Sequence, residues 1–207
     1  MNLDLDRVNA ELGKDTDGLL DWALGLGKRV VTTSNFAPYA AVLLHMVSQR
    51  RPETPVLWID AGYATPATYR VADEIVERLK LNLVVYQPRR SRAHREAVEG
   101  APPGLDEPER LARFTQEVKL EPFERAVREL QPEVWLTALR AESTAERAAM
   151  QPVSLGRNGL LKVTPLLHWS SKQMYEYLQQ HGLPNNFDYY DPTKIEGHRE
   201  CGLHTAV

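Results

Sequence analysis

Cysteine is almost missing from this sequence: among 207 residues there is one, Cys201. A lone thiol excludes an internal disulfide and suits a reducing compartment. If it forms a covalent adduct, a thiol from outside the chain has to release it. Long apolar runs are lacking too, since no stretch approaches the roughly 20 consecutive apolar residues that span a bilayer. The N-terminal stretch, with Asp4, Asp6, Glu11 and Asp15, has neither the basic start nor the apolar core of a signal peptide. The expected location is therefore the cytoplasm, with no membrane contact. Positive charge is in deficit: a net charge of -3 argues against bulk electrostatic binding to nucleic acid. Repeats and low-complexity tracts are absent. What remains is an ordinary globular composition, 43% hydrophobic and 26% charged, over a length that suits one domain spanning residues 1–207.

Apolar runs of strand length alternate with longer segments of helical period, the pattern of a parallel sheet with helices on both faces. The expected class is α/β, with a Rossmann-like parallel sheet of about five strands. These fall at Arg29–Thr33, Val56–Asp60, Leu83–Tyr86, Val134–Leu139 and Leu160–Thr164. Helices are expected from Ala40 to Val47, from Pro66 to Lys80, from Phe114 to Leu130, and from the N-cap Ser170 to His181. Residues 1–27 read as an N-terminal helical segment. Periodicity stops at Gly182, so residues 183–207 read as an irregular tail, rich in turn formers and aromatics, that packs on the domain.

Open parallel sheets bind ligands outside the carboxyl ends of their strands. After the first strand come Thr32, Thr33, Ser34, Asn35 and Phe36 ahead of a helix, offering hydroxyls, backbone N–H groups and a helix N-terminus to an anion. This turn has no glycine, which separates it from the Walker loop and from the dinucleotide fingerprint. After the second strand come Asp60, able to accept from a ribose or base, and Gly62, which permits close backbone approach. After the fourth come Arg140 and Arg147, guanidiniums suited to phosphate or sulfate. Each has a plain structural alternative: a helix cap, a turn residue, a surface charge. The basic run Arg89-Arg90-Ser91-Arg92 with Arg95 reads either as a contact for a multiply charged anion or as a solvated loop beside a helix start. Cys201 sits in Arg199-Glu200-Cys201-Gly202-Leu203-His204, where Arg199 and His204 would favour the reactive thiolate. The alternative is an inert cysteine on a terminal tail.

Taken in order, these positions resemble the phosphoadenosine phosphosulfate reductase family, within the adenine-nucleotide alpha-hydrolase folds, from about Lys28 to His204. The stretch from Arg199 to His204 looks like the family's C-terminal signature, whose cysteine is the catalytic nucleophile. Thr32 to Phe36, followed by Ala41 to His45, is similar to its modified pyrophosphate loop and helix. Asp60 to Tyr63, with Pro66 and Thr68 to Arg70, looks like the segment that holds the nucleotide. Lys119-Leu120-Glu121-Pro122 resembles a segment near the sulfonucleotide, Trp135 to Arg140 with Arg147 the arginine-bearing loop, and Pro165 to Trp169 the turn before the last helix.

One type in this family carries a four-iron cluster on four cysteines, which this chain cannot supply. The resemblance therefore implies the cluster-free type, with no bound cofactor or metal, a 3'-phosphorylated sulfonucleotide as substrate, and thioredoxin or glutaredoxin as the external reductant. In that chemistry the Cys201 thiolate attacks the sulfate sulfur, expels adenosine 3',5'-bisphosphate and becomes S-sulfocysteine, from which a dithiol releases sulfite. Lys119, Arg140, Arg147, Arg199 and His204 would then neutralise charge in the transition state. A homodimer is also implied. Three alternatives stand beside this reading. One is reduction of adenylyl sulfate without a cluster. Another is an adenylating pyrophosphatase, whose Ser-Gly-Gly-x-Asp-Ser turn and magnesium-holding carboxylates are missing here. The last is a nucleotide-binding or redox-responsive homologue without turnover.

Overall fold

The computed structural model describes residues 3–156 and 159–194. Two short helices come first, α1 (Leu5–Leu12) and α2 (Thr16–Gly25), each started by an aspartate, Asp4 or Asp15, whose carboxylate accepts a first-turn N–H. There follow β1 (Val30–Thr33), α3 (Ala40–Arg50), β2 (Pro55–Ile59), α4 (Pro66–Leu79), β3 (Asn82–Tyr86) and α5 (Arg92–Glu99). Helices α6 (Pro108–Thr115) and α7 (Glu121–Leu130) are joined by a π-helical turn at Gln116–Leu120. The remainder holds β4 (Val134–Leu136), a 3-10 turn at Ala141–Ser143, α8 (Ala145–Ala148), β5 (Val153–Leu155), β6 (Leu161–Val163) and α9 (Ser171–Gln180). Among the described residues no helix is long and apolar enough to cross a membrane.

The strands among the described residues form one sheet of 6 in the order β3-β2-β1-β4-β6-β5. All neighbours are parallel except β5 with β6. Alternation along each strand divides the core. Val30, Val56, Trp58, Val134, Leu136 and Val163 pack with α2, α3, α4 and α9 on one face. Val31, Leu57 and Trp135 pack with Phe123 and Ala126 of α7 on the other. Each such side chain, once fully buried, contributes about 1.5–3 kcal/mol. Successive strands are added outward in one direction from β1 to β3, and in the other from β4 onward. The reversal lies between β1 and β4, the switch point at which open sheets of this kind hold ligands.

Two features differ from the sequence expectation. The sheet has a further strand, β5, an antiparallel edge of three residues that is too short to carry a period. Its outer edge is closed by a side chain: Asn9 donates to the Val153 carbonyl and accepts its N–H, both at 2.9 Å. The helix expected from Phe114 to Leu130 begins earlier and is interrupted. Pro122 has no N–H to return to Val118, and the Glu121 N–H reaches back to the Gln116 carbonyl, which widens the turn. The basic run straddles a loop and a helix start: Arg89 and Arg90 precede Ser91, which caps α5 through the His94 N–H at 3.2 Å, and Arg92 and Arg95 lie within α5.

Candidate active site at the carboxyl ends of the strands

A cleft of about 330 Å³ opens at the switch point, floored by Leu57 and Ile59 of β2 and bounded by the loops after β1 and β4. The loop after β1 is rigid through its own amide groups. Ser34 Oγ accepts the Phe36 N–H at 3.1 Å, and Asn35 Oδ1 accepts the Ala37 N–H at 3.2 Å. Phe36 and Tyr39 both take left-handed backbone, at φ 51 and φ 67, a conformation costly for large side chains. Burial holds Phe36 there: it is fully enclosed and meets Trp58 edge-on at 4.9 Å. The loop delivers the N-terminus of α3 to the cleft, with Ala37 and Ala40 in the wall, so the partial positive charge of the helix end faces any anion bound there.

Four cations reach the same space: Lys119 from the π-helical turn, Arg140 after β4, Arg147 of α8 and Lys194 of the tail. No carboxylate is among the described residues that line it. Arg140 is held from behind, donating to Glu142 and, at 2.9 Å, to Ser171 Oγ, while its guanidinium lies 5.3 Å from the Tyr39 ring centroid. The Ser171 hydroxyl and Arg140 together keep the Glu142 carboxyl below its ordinary range. Lys119 is paired with Asp191 and donates to Thr193 Oγ1 at 3.2 Å. Burial pushes the Asp191 carboxyl up, but Lys119 and the hydroxyl and N–H of Thr193 outweigh it and hold the group below the usual carboxylate range. Among the described residues, no three His, Cys, Asp or Glu side chains converge as metal ligands.

The described part of the tail, 183–194, is irregular but firmly attached. Asn185 Oδ1 accepts the Tyr39 N–H at 2.7 Å. Buried Asn186 donates to the Phe36 carbonyl at 2.8 Å and to Thr68 Oγ1 at 2.9 Å. Thr65 and Thr68, at the start of α4, donate to the Asp188 carbonyl at 2.7 and 3.2 Å. Tyr189 accepts from Asn35 Nδ2 at 2.7 Å and donates to Asp191 Oδ2 at 3.3 Å.

Of the residues singled out in the sequence, Thr33, Ser34, Asn35, Lys119, Arg140 and Arg147 line the cleft together. Thr32 and Phe36 do not. Thr32 is a core residue whose hydroxyl donates across the sheet to the Leu136 carbonyl at 3.3 Å, and Phe36 turns its ring into the core. Asp60 is buried and occupied by donors of its own chain: the Gly62 N–H at 2.9 Å, Tyr69 OH at 2.9 Å and Gln87 Nε2 at 3.0 Å. Burial, with that bond to Asp60, pushes the Tyr69 hydroxyl up to about 12. Gly62 takes φ 81, and an added Cβ there would lie 3.4 Å from the Arg92 side chain. The basic run is neutralised by the chain itself. Arg90 and Arg95 grip Glu117 at 2.5 and 3.2 Å, Arg92 pairs with Glu96 at 2.8 Å, and Arg89 with Glu121 at 3.2 Å. Hydrogen bonding from Arg90 is the chief reason the Glu117 carboxyl sits below its ordinary range. Arg199, Cys201 and His204 lie outside the described residues.

Nothing in the sequence pattern singles out Asn186, Asp191 or Lys194. The Tyr-Tyr-Asp-Pro-Thr-Lys order alone gave no period to read, and the one signal was the density of turn formers and aromatics.

Known proteins match this arrangement. The family model of the phosphoadenosine phosphosulfate reductase domain matches residues 29–190. A phosphoadenosine 5'-phosphosulfate reductase of Escherichia coli (strain K12) is 40% identical over 209 aligned residues, covering 99% of this chain and 82% of the relative. Among solved structures, the phosphoadenylyl-sulfate reductase of Candida auris, a phosphate complex, superposes with a TM-score of 0.76 at 23% identity, over 90% of this chain and 91% of that one. The U34-tRNA thiolase NcsA of Methanococcus maripaludis shares the fold more distantly, with a TM-score of 0.56 at 11% identity, over 89% of this chain and 67% of that one.

Proposed function

The chain belongs to the phosphoadenosine phosphosulfate reductase family, and from that membership we propose how its residues work: it is an oxidoreductase of sulfate assimilation that reduces 3'-phosphoadenylyl sulfate, with Cys201 as the nucleophile. The observation that carries this reading is the convergence of Lys119, Arg140, Arg147 and Lys194 on a cleft whose described lining has no carboxylate. A thiolate attacking an anionic sulfonate meets charge repulsion, and preorganised cations are what lower that barrier. Cys201 follows Lys194 by seven residues, a chain reach of at most about 25 Å, which bounds how far the nucleophile can stand from Lys194.

The thiolate Sγ attacks the sulfate sulfur, and the bond from that sulfur to the bridging phosphate oxygen breaks. Its electron pair leaves with adenosine 3',5'-bisphosphate, whose developing charge Arg140, Arg147 and the α3 N-terminus stabilise. A thiolate of an external dithiol, thioredoxin or glutaredoxin, then attacks Cys201 Sγ. Sulfite departs with the electron pair of the sulfur–sulfur bond, and the second thiol resolves the mixed disulfide, so the dithiol supplies both electrons. Arg199 and His204 keep Cys201 ionised. The chain's single cysteine cannot furnish the ligands of a four-iron cluster. The rest of the reading is a single reductase-like domain, a homodimer and a cytoplasmic location.

The test is sulfite release with thioredoxin and its reductase, using adenylyl sulfate and its 3'-phosphorylated form on the native chain and on Cys201→Ser. The expected result is turnover that prefers the 3'-phosphate and vanishes in the variant. Sulfite from neither nucleotide would overturn the reading in favour of a binding protein. Preference for the unphosphorylated nucleotide would overturn the substrate assignment alone.

A further inference from the structure

We propose that Asp191 is a positioning residue that joins the two walls of the cleft and holds Lys119 in reserve for the substrate. The proposal rests on the reductase reading of the same cleft. Asp191 is nearly buried, and each of its oxygens is occupied. Oδ1 accepts the Thr193 N–H at 3.0 Å and the Thr193 hydroxyl at 2.6 Å; Oδ2 accepts from Lys119 and, at 3.3 Å, from Tyr189 OH. A carboxylate so engaged is no general base, because it has no lone pair turned to the cleft. It acts instead through its neighbours. Through Tyr189 it reaches Asn35 in the loop after β1, at 2.7 Å from the phenol oxygen. Through Lys119 it reaches the π-helical turn on the opposite wall. Its own carbonyl accepts the Lys194 N–H at 2.9 Å, which turns the chain so that Lys194 faces the cleft.

This geometry makes two claims that a merely structural carboxylate would not. First, the Lys119 charge is compensated while the pair is intact, so its attraction for an anion is restrained. The ammonium has three N–H donors, and Asp191 and Thr193 take two of them. The third is left for a sulfonucleotide oxygen. Second, the tail and the substrate share one cation, so binding at the cleft and docking of residues 185–194 are thermodynamically linked.

The experiment uses the full chain and three variants: Asp191→Asn, Lys119→Gln and the two combined. Two readouts are taken. One is hydrogen exchange of the amides of residues 185–194, which does not depend on any activity. The other is the split between kcat for sulfite release and the Kd of adenosine 3',5'-bisphosphate. Asp191→Asn is expected to speed exchange in that segment at least tenfold and to lower kcat at least tenfold, while nucleotide affinity stays equal or rises as Lys119 is released. Lys119→Gln strands a buried carboxylate and is expected to undock the segment further. The combined variant, an amide facing an amide with no charge, is expected to restore protection relative to Lys119→Gln alone. Unchanged exchange in Asp191→Asn would overturn the proposal. So would a parallel loss of affinity and kcat, or combined effects that simply add. If no variant and not even the native chain releases sulfite, the reductase reading fails, while the exchange data still decide the role of Asp191 in docking.

Discussion

Two sets of basic residues in this chain invite opposite conclusions in sequence and in space. Arg89, Arg90, Arg92 and Arg95 stand almost side by side, yet Glu96, Glu99, Glu117 and Glu121 neutralise them, and Arg95 ends up buried as part of a knot that fastens α5 to the π-helical turn. Lys119, Arg140, Arg147 and Lys194 are scattered over the chain, yet they meet at one cleft whose described lining carries no acid, the partners Asp191 and Glu142 of Lys119 and Arg140 standing outside that lining. Density of charge along a sequence therefore says little about the field in space. The helix period places Arg92 beside Glu96 on a single face, and the loop before α5 brings Arg89 and Arg90 to Glu121 and Glu117. A parallel sheet does the reverse, since every strand ends on the same edge and the residues that follow are gathered from distant parts of the chain.

Substitution tests this contrast most sharply at the cleft. Arg147→Ala is expected to lower kcat/KM for sulfite release by roughly 10²-fold, the usual loss when one preorganised donor to developing charge is removed. Arg89→Ala, on a side chain 75% exposed, is expected to leave kcat/KM and stability essentially unchanged. Steady-state kinetics of the two variants side by side measures the difference. Equal losses would mean that the basic run feeds the cleft after all, and the comparison would collapse.

Arg95→Ala ranks next, and its effect should appear in stability. Arg95 is 2% exposed and bonds Glu117 at 3.2 Å and the Arg90 carbonyl at 2.9 Å. Removing a buried partner of this kind costs about 3 kcal/mol, read as a lower urea midpoint. Arg90 keeps Glu117 compensated at 2.5 Å, which holds the loss to that order. Because the π-helical turn carries both Glu117 and Lys119, a smaller fall in kcat should accompany it.

The sequence was legible where one physical rule dominated. Five strands and the helices α3, α4, α7 and α9 were visible because apolar period and turn chemistry agree, as at Val56 to Asp60 after Pro55. β5 escaped because three residues hold no period, and what secures it is Asn9, far away in the chain. The cleft was legible to the extent that its residues follow strands, as Thr33, Ser34, Asn35 and Arg140 do. Thr32 and Phe36 share that stretch, but strand alternation sends Thr32 into the core and a left-handed backbone turns Phe36 the same way. The tail could be read only as irregular, since its order comes from Asn186 and Asp191 finding partners in α4 and the π-helical turn. No local pattern encodes such partners.

A third group of cations extends the contrast, and its expected effect is the smallest. His45 of α3 lies against His181 at 4.7 Å between ring centroids, and its Nδ1 is 2.8 Å from Tyr177 OH. Arg78 of α4 bonds the His181 carbonyl at 3.4 Å, and Arg50 and Asp17 act on Tyr177 from α3 and α2. Burial first, then the like charges of His181 and Arg78, depress the affinity of His45 for a proton below its ordinary value of 6.5. The unfolded chain takes up this proton near 6.5 and the folded chain only at lower pH, so the contribution is full above 6.5 and is lost as pH falls from there through the lower folded value. Among the described residues no acid pairs with the imidazole, in contrast to Arg95 and Glu117, and the group sits where α9 hands the chain to the tail. Thermal midpoints measured from pH 7.5 down to 5 should therefore decline, and less steeply in His45→Gln, which keeps a polar partner for Tyr177 but cannot gain a proton. An identical decline in both would assign the effect to other groups. A steeper loss of protection in residues 185–194 than in the sheet would show that the junction itself yields first.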